Sequence, residues 1–369
     1  DKPGEPGGGI TNQDWSFVFD GDGYHCAFDP SDPDVVYAEA QGGVVARVNL
    51  ENAVSRNLRA APKEGQPGFR FNWNSPFFVS PFARPGKPTT LYLGGSCVFR
   101  LLDGGDRWER ISEDLSTRNV EKILTVGSEA ETHGTVVSLA ESSLAEGMLW
   151  AGTDDGRVHM TRNAGGADRK SWTDVTPPEV GGRYISRIEA SHHARDAAYV
   201  AVDGHRMEDM EPHLYATDDA GRTWRSIAGD LPAGAPVLVV REDLANSSVL
   251  YAGTEVALYV TIDAGGRWVR MNGGEAGAGG SLPTVAIDDI QQHPRERDLV
   301  LATHGRSIFV LDDASAFSQL TSSVLAEDLH LFAVPPAKPR LFRPSEGAWS
   351  ERFFKAANPP MGARITYWM

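Results

Sequence analysis

The sequence predicts an all-β fold, a β-propeller of four-stranded antiparallel blades, on three observations. A short box recurs, a short apolar strand recurs at a spacing of roughly fifty residues, and no long amphipathic helical pattern interrupts them. Recurrence of one small unit means that the fold is assembled from copies of one supersecondary element.

The box reads Leu102-Asp103-Gly104-Gly105-Asp106-Arg107-Trp108, then Asp218-Asp219-Ala220-Gly221-Arg222-Thr223-Trp224, then Ile262-Asp263-Ala264-Gly265-Gly266-Arg267-Trp268. Asp opens a tight turn by accepting bonds from backbone N–H groups ahead of it. Gly, two residues on, takes the positive φ that such a turn requires. Trp begins the returning strand and buries a large ring against the neighbouring unit. The boxes therefore read as structural hairpins, not as three acidic sites.

Ahead of the boxes lie Val35-Val36-Tyr37-Ala38, Leu91-Tyr92-Leu93-Gly94, Leu149-Trp150-Ala151-Gly152, Ala198-Tyr199-Val200-Ala201, Leu250-Tyr251-Ala252-Gly253 and Leu299-Val300-Leu301-Ala302. Each is preceded by an alternating strand and a turn, and followed by a third strand such as Val158-His159-Met160 that enters the box. A fourth strand leaves it. Four short antiparallel strands per repeat define a propeller blade. Six units begin near Tyr24, Asn72, Gly134, Arg183, Ala235 and Thr284, and the pattern is also compatible with a seventh blade. In the third unit Asn163 replaces the Asp and the Trp is delayed to Trp172, while the first and sixth units lack the box. Terminal repeats are commonly atypical. Trp15-Ser16-Phe17-Val18-Phe19 is placed to close the ring, with Leu329-His330-Leu331-Phe332 as the alternative. Only Ser116 to Leu124 and Asp313 to Leu320 read as short helices. The chain divides into a Gly/Pro-rich leader with the closing strand (1–23), the propeller (24–322) and a C-terminal extension (323–369).

The chain has 369 residues and a formal net charge of −15. That balance argues against nucleic acid, which needs a basic footprint, and against acidic membrane surfaces. No segment is long and apolar enough to insert in a bilayer. Two cysteines, Cys26 and Cys97, are too few for a disulfide framework and read as buried free thiols, with one bridge between neighbouring blades as the less favoured alternative. The chain begins at Asp1 and stops at Thr366-Tyr367-Trp368-Met369 in what reads as mid-strand, so a longer parent polypeptide is expected.

The Asp-x-Gly-x-x-Trp boxes resemble the Asp-box, or BNR, repeat of sialidases, xyloglucan-degrading glycoside hydrolases, photosystem II assembly factors and sortilin-type receptors. Arg70-Phe71-Asn72-Trp73-Asn74-Ser75-Pro76, Gly152-Thr153-Asp154-Asp155-Gly156, Ser191-His192-His193, Val202-Asp203-Gly204-His205-Arg206 and Thr303-His304-Gly305-Arg306-Ser307-Ile308 sharpen the resemblance. From about Gly21 onward the chain is similar to large exported bacterial proteins labelled glycosyl-hydrolase-like or sortilin-like BNR proteins. That resemblance implies a secreted, periplasmic or cell-surface location, further propeller sequence upstream, and a β-sandwich beginning near Arg352-Phe353-Phe354. Sialidases use an Arg triad and a Tyr nucleophile; Arg187, Arg206 and Arg306 stand at suggestive loop positions, but no motif assigns them.

Propeller topology gathers the starts of the innermost strands and the loops joining second to third strands on one rim of the channel, opposite the boxes. That register brings together Asp22, Tyr24 and His25; Asn72, Trp73 and Asn74; Asp154 and Asp155; Asp203, His205 and Arg206; Glu255; and His304 and Arg306. Loops on a rigid scaffold commonly carry function. Structural readings compete at each position. Asp154-Asp155-Gly156 suits a type I′ hairpin turn, and Asn72-Trp73-Asn74 can cap and pack a blade. His192-His193 falls on the opposite face and reads as structure. Asp203 opens the longest of these loops, running to Pro212.

Two functions fit. A glycoside hydrolase needs two carboxyl groups, one as acid and one as base or nucleophile. Asp155, Asp203 and Glu255, at equivalent positions on consecutive blades, are the candidates. Tyr24 and Trp73 would stack on sugar rings, and His205, Arg206, His304 and Arg306 would bind hydroxyls or a carboxylate. Alternatively, the chain is a binding module that presents an acidic, aromatic-rimmed face to a glycan, peptide or protein without chemistry. The run Glu208-Asp209-Met210-Glu211 offers oxygen ligands suited to Ca²⁺, although a solvated charged loop is the commoner explanation; no other metal or cofactor is expected.

Overall fold

The structure, a computed structural model, describes residues 17–337 and 362–369, apart from 63, 66, 87–88, 103–106, 124–131, 165, 167 and 274–281. Six antiparallel sheets follow one another along the chain as the blades of a six-bladed β-propeller, each ordered from inner to outer strand in sequence order or its reverse. Blade 1 holds β1 (Cys26–Asp29), β2 (Asp32–Ala40), β3 (Val44–Asn49) and β4 (Ser55–Asn57); blade 2 holds β5 (Phe77–Val79), β6 (Thr90–Gly94), β7 (Val98–Leu102) and β8 (Glu109–Arg110). Blade 3 holds β9 (Val136–Glu141), β10 (Leu149–Thr153), β11 (Val158–Thr161) and β12 (Thr173–Asp174); blade 4 holds β13 (Tyr184–Ala190), β14 (Ala198–Asp203), β15 (His213–Thr217) and β16 (Arg225–Ser226). Blade 5 holds β17 (Val237–Glu242), β18 (Leu250–Thr254), β19 (Leu258–Thr261) and β20 (Val269–Arg270), and blade 6 holds β21 (Ile287–Gln292), β22 (Leu299–Thr303) and β23 (Ile308–Leu311). The short helices are α1 (Val120–Ile123), α2 (Ser315–Gln319) and α3 (Ser322–Leu325), the first two falling inside the stretches read as helical.

The sixth sheet has three strands among the described residues. Neither expected closing strand joins it there. Phe17–Phe19 is not a strand, and Trp15 and Ser16 lie outside the described residues. His330–Leu331 (β24) pairs instead with Tyr367–Trp368 (β25), which makes the chain's last residues part of a two-stranded ribbon.

The boxes bind consecutive blades to one another. Asp219 accepts from the Thr223 N–H at 2.9 Å and the Thr223 hydroxyl at 2.7 Å, and Asp263 accepts from the Arg267 N–H at 2.9 Å. Gly265 sits at φ +93°, and a Cβ there would meet Ile227 Cβ at 2.6 Å, so both turn geometry and the close approach of the preceding blade demand glycine. Asp103 to Asp106 of the first box lie outside the described residues. Each following Trp donates its indole N–H to the backbone carbonyl one residue past the outermost strand of the preceding blade. Trp108 donates to Leu58, Trp172 to Ile111 at 3.1 Å, Trp224 to Val175 at 2.7 Å and Trp268 to Ile227 at 2.9 Å. Trp172 therefore performs the same task despite its delay in the degenerate repeat.

Apolar faces fill the gaps between blades. Trp150, Val158 and Met160 of blade 3 pack against Ile185 and Ile188 of blade 4, and Tyr251, Leu258 and Val260 of blade 5 against Ile287 and Ile290 of blade 6. Each such face removes several large side chains from water, at ~25 cal/mol per Å². Both cysteines are free, as expected, but Cys26 is exposed rather than buried, because its side of β1 is uncovered.

Candidate functional site

Hydrogen bonds between blades assemble one rim. Gly42 of blade 1 donates its N–H to Trp73 O, Val136 of blade 3 to Gly95 O of blade 2, and Val285 ahead of blade 6 to Val256 O of blade 5. The second-to-third strand loops and the starts of the inner strands therefore share a face. His192 and His193 lie in the β13–β14 turn and bond to Glu189 and the Asp243 carbonyl, in keeping with a structural role.

Within the rim the side chains separate into distinct groups. Blades 3 and 4 bring Asp154, Asp203, Arg206 and Arg187 within electrostatic reach of Tyr184, whose phenol burial pushes up to about 12. Arg206 lies over the Tyr184 ring, 4.9 Å from its centroid. Asp203 is buried and accepts from the His205 N–H at 2.9 Å, with its other oxygen 2.5 Å from His205 Nδ1. That pairing orients the imidazole of a side chain that is more than one-third exposed. Asp209 fastens the same loop, accepting from Arg183 Nε at 2.6 Å and contacting His213 Nε2 at 2.9 Å. The Glu211 N–H above all, then His213 and Arg183, draw its carboxyl well below the usual range.

Asp154 and Asp155 are differently committed. Asp154 accepts from the N–H groups of Gly134 and Thr135 and from the Thr135 hydroxyl. Burial nevertheless pushes its carboxyl up. Asp155 accepts from Thr117 N–H and hydroxyl, both at 2.7 Å, and from the Thr153 hydroxyl at 2.5 Å. Both carboxylates thus tie blade 3 to the segments before it. Ligand atoms of His133, Asp154 and Asp155 fall within 4.8 Å of one another, but a cation there would have to displace these bonds. The turn itself differs from the expected type I′. Only Gly156 has positive φ, and the central Asp154 and Asp155 do not, so the aspartates are placed for bonding across the loop.

The remaining candidates lie elsewhere on the rim. Glu255 is half-buried at the β18–β19 turn, anchored by its N–H on Pro236 O. His304 is exposed beside Asp288 at 3.4 Å, and Arg306 is exposed in the same turn. Asn72 donates to Thr135 Oγ1 at 3.2 Å, and Asn74 bonds to His25. Trp73 lines a separate open cleft of about 500 Å³ with Phe69, Phe71, Arg59 and Arg70. Tyr24 stands near Asp22 and Glu39, its phenol raised by partial burial and those charges.

Beneath the mouth, the inner strands carry a charge network that was not singled out as a site from the sequence. Arg187 Nη2 and Arg241 Nη2 both donate to Asp289 Oδ1, at 3.0 and 2.9 Å, and Arg241 Nη1 donates to Glu189 Oε2 at 2.7 Å. Burial alone would raise the Asp289 carboxyl, but Arg187 and Arg241 hold it far below its ordinary range. Burial and the charge of Arg187 lower the His25 imidazole to about 4, leaving it neutral. Arg187 is therefore an inner-strand residue within β13 rather than a loop residue. The available signal was an ionisable residue inside an apolar inner strand at similar places in consecutive blades: Arg187, Arg241 and Asp289. Glu39 on β2 was also missed. It is buried with neither carboxyl oxygen well hydrogen-bonded, and burial raises it to about 8.

No family model and no curated protein matches the sequence. Solved structures do. An ancestral GH74 enzyme matches with TM-score 0.55 at 15% identity over 79% of this chain and 36% of its own. The GH74 xyloglucanase from Xanthomonas campestris matches with TM-score 0.51 at 19% identity over 78% of this chain and 43% of its own. The extracellular domain of BT3049 from B. thetaiotaomicron, described as a hybrid two-component system, matches with TM-score 0.50 at 14% identity over 85% of this chain and 35% of its own. This chain thus spans less than half of each. Likeness at such identity establishes the fold, and that fold is a six-bladed β-propeller.

Proposed function

We propose that the chain is a carbohydrate-directed binding propeller that engages an oligosaccharide at the mouth between blades 3 and 4 and does not cleave it. The observation that carries this reading is the commitment of two of the three candidate acids, which leaves Glu255 as the one candidate carboxyl with no hydrogen bond among the described residues. Asp155 is consumed by Thr117 and Thr153, and Asp203 by His205. Hydrolysis requires one carboxyl free to donate a proton and a second free to act as base or nucleophile. Carboxylates already saturated by the scaffold are suited to holding loops.

What the mouth offers instead is a set of donors on fixed supports. His205 is oriented by Asp203, and Arg206 is stacked on Tyr184. An imidazole and a guanidinium so held suit hydroxyl groups, and a carboxylate on an acidic sugar would gain a charge-assisted bond from Arg206. Support also comes from the fold neighbours, two of which are GH74 enzymes, one of them named a xyloglucanase. The boxes are read here as Asp-box repeats, and the protein as an exported one.

The test is an oligosaccharide screen that records binding by calorimetry and new reducing ends in the same samples. Binding weakened at least about tenfold by Arg206→Ala, the loss of roughly one charge-assisted bond, is the expected result. Binding unaffected by both Arg206→Ala and His205→Ala would remove the mouth as the site.

A further inference from the structure

Blade 6 presents a face that every other blade buries. Ile308 is 65% exposed. Its equivalents by strand register are Val45, Val98, Val158, Leu214 and Leu258, each paired across its hairpin with the residue matching Ala302. All five are at most 3% exposed. Val310, equivalent to Val260 of blade 5, is 53% exposed where Val260 is 4%. In blade 5, Leu258 and Val260 are covered by Ile287 and Ile290 of the next inner strand. Among the described residues no such strand covers Ile308 and Val310.

Two further features belong to the same gap. The outer edge of β23 has no strand partner among the described residues. Across the gap, Cys26 and Phe28 on the inner strand of blade 1 are exposed, whereas Ile188, Val240 and Ile290, which match Cys26 in register, are buried.

We propose that this face is an interface for one further four-stranded blade, supplied by polypeptide outside these 369 residues. Its inner strand would carry two apolar side chains three residues apart, as Ile185/Ile188, Val237/Val240 and Ile287/Ile290 do, to cover Ile308 and Val310. The choice of occupant follows from continuity with the five interfaces already formed. The exposed positions correspond one for one with positions that a following blade covers, and a single inserted blade would also meet Cys26 and Phe28. Exposed apolar surface next to a free strand edge is a docking or aggregation site by its physics.

The experiment repeats residues 235–283 in tandem within the full chain, adding one blade of this protein's own kind, and carries Val310→Cys as a reporter. The expected result is a monomer with Tm raised by about 4 °C or more, most of the ANS emission lost and maleimide labelling of the reporter slowed. A folded tandem protein with an unshifted or lower Tm and unslowed labelling would show that the ring has no place for a blade. Should the tandem protein not fold, Ile308→Asp and Leu258→Asp in the natural chain decide. A Tm unchanged by the first, with loss of ANS emission, and collapsed by the second supports the proposal; equal losses of Tm overturn it. Sedimentation showing a concentration-dependent dimer that Ile308→Asp abolishes would assign the face to a second copy and overturn the proposal as well.

Discussion

Replacing Trp268 by Phe isolates what the recurring box contributes. The indole of Trp268 is almost wholly buried between blades 4 and 5, and its N–H meets the Ile227 carbonyl at 2.9 Å. Phe keeps an aromatic ring in place but removes the donor, leaving a buried carbonyl unpaired at a cost of ~1–3 kcal/mol. The smaller ring also leaves a void of roughly 40 Å³, worth about 1 kcal/mol at 24 cal/mol per Å³. The sum is about 2–4 kcal/mol, a large part of a domain's typical stability of ~5–15 kcal/mol. Urea unfolding followed by tryptophan-independent circular dichroism measures it, with an unchanged m-value confirming that only stability moved. Trp224→Phe should cost less, because that ring is half-buried, although its bond to Val175 is as short. Trp73→Phe is the control, since its indole makes no hydrogen bond among the described residues and lines an open cleft. A loss below about 0.5 kcal/mol for Trp268→Phe, or the same loss for Trp73→Phe, would refute the view that the box Trp staples one blade to the next.

Glu39 should give stability an unusual pH slope. Its folded-state value, about 8, lies above the ordinary 4.5, so the native chain holds a proton that the unfolded chain releases. Stability therefore falls as pH rises from about 4.5 to 8, by up to roughly 4 kcal/mol. Glu39→Gln should abolish that slope and exceed the wild type in urea resistance at pH 8.5, while matching it near pH 4. Asp289→Asn should destabilise by about 3 kcal/mol, because it strips the shared anion from Arg187 and Arg241 and leaves two guanidinium groups facing each other; thermal unfolding reads this. Asp155→Asn should lower Tm while leaving oligosaccharide affinity within about twofold, since its oxygens serve Thr117 and Thr153.

Period and register were legible in the sequence because the box and the Tyr- or Trp-bearing strand recur, and each of the six expected starts precedes an observed sheet. The shared rim was legible for the same reason, since it follows from topology. What side chains do on that rim was not. Asp155 was expected at the place of Asp203, but the strand register gives that place to Asp154, and even these equivalent carboxylates differ: Asp154 bonds across to Gly134 and Thr135, Asp203 to its own loop's His205. Such partners depend on loop lengths that the repeat does not constrain. The type I′ expectation at Asp154-Asp155-Gly156 failed because Gly156 alone takes up the positive φ, which frees both aspartates for long-range bonds. Trp73 was expected among the channel residues, but it lines the cleft beside Phe69 and Phe71. Arg241 and Asp289 were passed over because a lone charge in an apolar strand has no visible partner until three inner strands converge.

The most direct measurement is prolonged incubation of the wild-type protein with the tightest-binding oligosaccharide from the screen, with released reducing ends quantified against Asp203→Asn and Glu255→Gln. Saturable binding with no release above the uncatalysed background is the expected outcome. Release that either substitution abolishes while binding persists would contradict the account, because a carboxyl assigned here to the scaffold or the rim would then be acting on the glycosidic bond.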